Sequence, residues 1–224
     1  MRPREKETNI PENFPLKQYL LHMDYQKEYD KTIIGIDSGV SHCAFCECNL
    51  IKADGCIKDL EIRNLYSFED EISKIKCHDD RFYFLAQKYW ELFYNKVVWN
   101  VTFEVLPLTS IKKNPTLQGV IQAQKTTDII SLVCHCLGHP YTPIPPTSIK
   151  YTLTGKGNAS KQEMQQVAYK LTGEKYPVFL ENDHLADAFG DCFNFFVRKA
   201  NEYVKMYHAS PPEKYAHMDW LWKK

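Results

Sequence analysis

Residues 31–40 read KTIIGIDSGV: a β-branched run, Thr32-Ile33-Ile34-Gly35-Ile36, closed by Asp37 and the turn-forming pair Ser38-Gly39. Such a run between turn formers reads as a buried strand. A carboxylate at the mouth of a buried strand is costly unless a cation or hydrogen-bond donors meet it. The turn after it lets another backbone, or a phosphate, come close. Downstream, Glu104, His184 and Asp187 are able to join Asp37. Four such groups converging would make a divalent-metal site.

Outward from that strand, Ala44–Leu50 and Ile57–Tyr66 form two more, with Gly55 near the turn between them. Three short strands separated by turns predict an antiparallel meander. In residues 79–96, Phe82, Leu85, Tyr89, Leu92 and Phe93 recur at helical spacing. Residues 97–105, VVWNVTFEV, predict a fourth strand with Glu104 near its end. Asn114-Pro115 opens a helix that Gly138-His139-Pro140 ends, and Tyr141–Ile144 is a fifth strand cut off by Pro145-Pro146. After the loop 154–158, Ser160 and Glu163 match a capping box. The last helix begins near Asp183, which reads as its N-cap. His184 and Asp187, three apart, then share a face, and Asp191 one turn on reads as solvated.

A chain of 224 residues suits one domain with extensions: a polar N-terminal extension over 1–30, a core domain over 31–206 and a tail over 207–224 ending in Trp220-Leu221-Trp222. The formal net charge is zero, so total charge announces no nucleic-acid partner. The distribution is uneven, however. Residues 147–175 carry five lysines against Glu163 and Glu174, residues 109–125 carry Lys112, Lys113 and Lys125 with no acid, and residues 54–80 carry eight acids against four bases. One basic face is expected. The N-terminus has no apolar signal segment and no run is long enough to span a membrane, so the reading is an intracellular chain with reduced thiols. Cys43-x-x-Cys46-x-Cys48 and Cys134-His135-Cys136-x-x-His139 invite zinc, but Cys43 faces away from Cys46 and Cys48 on a strand. The reading preferred for these cysteines is small buried hydrophobes.

Strand, strand, strand, helix, strand, helix, strand, helices is the order of the ribonuclease-H-like α/β fold, a mixed five-stranded sheet flanked by helices. Strands one and four lie side by side there, which would make Asp37 and Glu104 neighbours. Several hard oxygen ligands around a shared centre suit metal-dependent phosphodiester cleavage.

Four blocks resemble the RuvC family of Holliday-junction resolvases: Ile34-Gly35-Ile36-Asp37-Ser38-Gly39, Phe103-Glu104, Ile149-Lys150 through Lys156-Gly157-Asn158-Ala159-Ser160-Lys161, and His184-Leu185-Ala186-Asp187-Ala188. Order and spacing agree over roughly residues 31–200. A lone Asp-x-Gly would be weak, because sugar-kinase-type ATPases also begin this way; an ATP-binding actin-like half is disfavoured because the second phosphate-binding lobe is lacking. The divergence elsewhere suggests a phage or viral branch, and hence the cytoplasm of a bacterial host if phage-encoded.

The resemblance implies that Asp37 bridges two Mg²⁺ ions, with Mn²⁺ as a substitute, and that Glu104 and Asp187 complete the ligand set. His184 would be a ligand or orient the water. Lys150 and Lys161 would face the junction near the scissile phosphate, with Lys156 from the same block, while Lys112 and Lys113 are read as phosphate-facing from their loop. It further implies a homodimer that resolves four-way junctions by paired symmetric nicks. One departure is Val105-Leu106-Pro107-Leu108, where the family often has an aromatic wedge. The competing readings are a nuclease of the same fold acting on other branched DNA or on RNA–DNA hybrids, and a non-catalytic junction-binding protein.

Overall fold

The structure is a computed structural model that describes residues 32–53, 56–105 and 117–222. Strands β1 (Thr32–Ser38), β2 (Cys43–Ala53) and β3 (Cys56–Ser67) form the meander. Helices α1 (Glu69–Ser73) and α2 (His78–Phe93) lead to β4 (Val98–Glu104). Helix α3 (Leu117–Leu137) and β5 (Tyr141–Ile144) follow. Helices α4 (Pro146–Thr154), α5 (Lys161–Leu171), α6 (Val178–Glu181) and α7 (Asp183–Tyr207) complete the domain. The sheet order is β3-β2-β1-β4-β5. β1 runs antiparallel to β2 and parallel to β4, and β4 is parallel to β5. This is the mixed five-stranded ribonuclease-H-like architecture that the sequence predicts.

Strand alternation assigns β1 to two cores. Ile34 and Ile36 face α2 and α3 with Phe45, Leu85, Tyr89 and Phe103. Ile33 faces α7 with Cys46, Cys48, Phe189 and Phe193. The same alternation turns Gly35 and Asp37 toward α7. At Gly35 a Cβ would lie 2.0 Å from the Ala188 carbonyl oxygen and 2.9 Å from Cys192 Sγ. The helix therefore sits directly on the strand, and only glycine permits that approach.

Three expectations need correction. Pro145-Pro146 does not merely end β5: Pro146 occupies the first turn of α4, whose Ile149 and Leu153 are buried and whose end is capped by Gly155 in the left-handed region. The N-cap of α7 is Asn182, whose side chain accepts from Leu185 N–H, and Asp183 is the first helical residue. Asp191 is fully buried rather than solvated. The capping box at Ser160 and Glu163 is present. The tail packs on the α7 core through Tyr215, Met218 and Leu221. The N-terminal extension, Lys112, Lys113, Leu106-Pro107-Leu108 and the Asn114-Pro115 helix start lie outside the described residues.

Candidate active site

The parallel register Ile36↔Phe103 brings the C-terminal ends of β1 and β4 level. Asp37 and Glu104, the next residue on each strand, therefore stand side by side and point the same way, toward α7. Asn182 caps that helix, so its first turns present His184 and Asp187 on one face, toward the ends of β1 and β4. His184 Nδ1 lies 2.6 Å from Asp37 Oδ2. With Nδ1–H donating to the carboxylate, the lone pair of the neutral ring is on Nε2, which is thus the nitrogen available to a metal or a water.

The electrostatics bind the four residues into one unit. Burial, then the charges of Asp37 and Asp187, push Glu104 up to about 8, against the pull of Lys150 and Lys161. Burial, then Asp37 and Asp183, push Asp187 up to about 7. The Asp37 hydrogen bond holds the His184 imidazole above its usual range, against the effect of burial. Behind them, burial and then Glu104, Asp37 and Asp187 raise Asp191 well above the carboxylate range. Four acids and one imidazole crowd this end of the sheet, an excess of acidic groups over cations that burial and mutual repulsion hold partly protonated.

That excess and the donor chemistry, three carboxylates and an imidazole, fit Mg²⁺ or Mn²⁺. The donors are not collapsed on one point. Among the described residues, the only set of three or more ligating groups with all atoms within 4.8 Å of one another is a cysteine trio elsewhere. Asp37, Glu104, Asp187 and His184 would hold an Mg²⁺ or Mn²⁺ ion, which would supply charge neutralisation for a phosphate and an activated water.

The expected lysines divide. Lys150, on α4, and Lys161, the first residue of α5, both act on Glu104. Lys161 is ion-paired to Asp183, and its charge also reaches Asp187. Lys156 lies further out, exposed and 3.0 Å from Glu163. Sequence reasoning missed His42. Its ring stacks on His184 at 4.7 Å between centroids and 7° between planes, and its Nδ1 lies 3.0 Å from Glu69 Oε1. The available signal was its position in the β1–β2 turn, beside the residue that ends β1. The zinc pattern around Cys134 does not close: among the described residues, Cys134, His135, Cys136 and His139 form no set within ligating distance.

No family model and no curated protein matches this chain. Solved structures do. Thermus thermophilus RuvC is 18% identical with a TM-score of 0.58, over 81% of this chain and 99% of that one. The same protein in complex with Holliday junction substrate is 16% identical with a TM-score of 0.62, over 76% and 95%. The yeast mitochondrial Holliday junction resolvase Ydc2 is 15% identical with a TM-score of 0.52, over 80% and 82%. The chain thus has the RuvC-like resolvase fold, within the ribonuclease-H-like class. The likeness covers nearly the full length of both RuvC chains.

Proposed function

We propose that this protein is a metal-dependent, structure-selective DNA endonuclease that resolves four-way junctions. The observation that carries the proposal is the convergence of Asp37, Glu104, His184 and Asp187 at the C-terminal ends of β1 and β4 under the first turns of α7. Resolvases of the same fold, named for Holliday junctions, support the substrate class.

In this reading Asp37, Glu104 and Asp187 hold Mg²⁺, with Mn²⁺ a substitute, and His184 adds Nε2. When bound, the ions supply an activated water and stabilise the leaving oxygen. The chain's own residues do the rest. Asp37 fixes the His184 tautomer through Nδ1. His42, held by Glu69, stacks against the imidazole and limits its rotation. Lys150 and Lys161 offer positive charge to a phosphate beside the carboxylates, and Lys156, further out, extends that contact along the backbone. Phosphate contacts of this kind set affinity and register without reading sequence.

Paired symmetric nicks require a two-fold homodimer. An apolar groove between α2 and α3, lined by Ala86, Trp90, Leu132, Val133 and Cys136, offers a surface for one. Trp90 is 43% and Leu132 62% exposed there.

The test is cleavage of a synthetic four-way junction with Mg²⁺ beside duplex, fork and RNA–DNA hybrid. Preferential paired nicking of the junction is expected. Equal cutting of forks or hybrids would favour the broader nuclease reading, and junction binding without nicking would favour the non-catalytic one.

A further inference from the structure

A second ligand cluster lies behind the acids. Cys46 and Cys48 share the α7-facing side of β2, and Cys192 descends onto them from α7. All three are completely buried, and their sulfurs lie within 4.8 Å of one another. Cys46 Sγ and Cys48 Sγ are 3.5 Å apart. The Cys192 thiol donates to the Cys46 carbonyl at 3.3 Å. The space they share exists because of Gly35, the antiparallel partner of Cys46, whose missing Cβ would sit 2.9 Å from Cys192 Sγ and 3.0 Å from Asp191 Cβ.

Buried thiols alone need no ion, since cysteine packs as a small hydrophobe. Asp191 is what this bland reading leaves unexplained. Its side chain is completely buried, and neither carboxylate oxygen has a hydrogen-bond partner. It precedes Cys192 in the chain and lies between the two clusters: the charges that act on it are those of Glu104, Asp37 and Asp187 first and of Cys46 last. A buried carboxyl with no partner is costly, and such a group in a native structure calls for a ligand or an ion.

We propose that Cys46, Cys48 and Cys192 form a structural site for a thiophilic divalent cation, Zn²⁺ in the cell, held by the three sulfurs. Tetrahedral zinc with bonds of about 2.3 Å to sulfur sets its sulfurs about 3.8 Å apart; Cys46 Sγ and Cys48 Sγ are 3.5 Å apart, and Cys192 Sγ lies within 4.8 Å of both. The enclosure implies capture during folding rather than exchange at the surface. The ion would tie α7 to β2 directly beneath the acids, and so fix the helix that carries His184 and Asp187. The site rests on its own residues and stands or falls without the nuclease reading.

The test is the metal content of the full chain, purified under reducing conditions and passed through EDTA. About one zinc per chain is expected. Chain produced in cadmium-supplemented medium should show thiolate-to-cadmium charge-transfer absorption in the ultraviolet. Cys46→Ser and Cys192→Ser should lose both signals, while Cys77→Ser, at an exposed cysteine, and Asp37→Asn should keep both. Wild-type chain with neither zinc nor the cadmium band would overturn the proposal even if the cysteine variants fail to fold. So would a band that survives Cys192→Ser or disappears with Asp37→Asn.

Discussion

His184 Nδ1 and Asp37 Oδ2 lie 2.6 Å apart although the two residues are separated by most of the domain. The contact joins the start of α7 to the end of β1, and in the proposed reading it makes the histidine's protonation part of metal binding. A ligating imidazole must be neutral, so protons compete with the metal. Asp37 favours the imidazolium and moves that competition above the usual 6.5. Nicking should therefore fall as pH drops through and below neutrality. His184→Asp supplies an oxygen donor and should keep measurable Mg²⁺-dependent nicking with a weaker acid-side decline, while His184→Ala should lose most of it. Single-turnover nicking across pH compares the three proteins. An alanine variant that matches wild type at every pH would make the histidine structural.

Glu104 and Asp187 give a stability signature. Their folded pKa values, about 8 and about 7, lie above the ordinary 4.5 and 3.8. Between those limits the folded state holds more protons than the unfolded, so stability falls as pH rises. Metal-free protein should melt lower at pH 8 than at pH 5, and Mg²⁺ should recover the loss mainly at the higher pH. Glu104→Gln removes one repelling charge and should raise the metal-free Tm at pH 8, by about 2–4 °C for each kcal/mol relieved. It should also abolish most of the Mg²⁺ effect. Calorimetry at the two pH values decides, and an unchanged Tm at pH 8 would mean the acids are not in conflict.

Gly35 is required by packing as much as by the turn that follows it. Gly35→Ala would drive a methyl into the Ala188 backbone, with nothing flexible to yield. Overpacking of this kind costs about 1–3 kcal/mol, occasionally more. Thermal melting should show the loss, and nicking should fall beyond it because α7 carries His184 and Asp187. A variant of normal stability and activity would refute the close approach of helix to strand.

Lys161 is ion-paired with Asp183 but 68% exposed, so the pair adds little stability. Lys161→Ala should leave the melting temperature nearly unchanged, slow nicking, and reduce the salt dependence of junction binding by about one unit of log–log slope. Unchanged rate and slope would leave the lysine merely solvated.

Much of this architecture was legible because local and global signals agree. The run Thr32–Ile36 is β-branched, buried and central, and Asp37 marks its end in sequence as in space. The spacing of His184 and Asp187 fixed their shared face without any tertiary information. The same spacing extends to Asp191, seven residues beyond His184, yet its charge suggested solvent; burial followed the helical stripe instead. Helix α4 was missed because Pro145-Pro146 stops a strand and starts a helix with equal ease. The contacts that His42 and the Cys46–Cys48 pair make were out of reach for a different reason: their partners, His184 and Cys192, arrive only with α7.

The central claim, that a divalent-metal centre built on Asp37 cuts junction DNA, is tested most directly by Asp37→Asn. The amide keeps the shape of the carboxylate and removes the charge that cations need. Wild-type protein and the variant are compared on one synthetic four-way junction with Mg²⁺, by gel shift for binding and by strand nicking for chemistry. The account predicts undiminished junction binding with nicking abolished. Nicking by Asp37→Asn at the wild-type rate would contradict it.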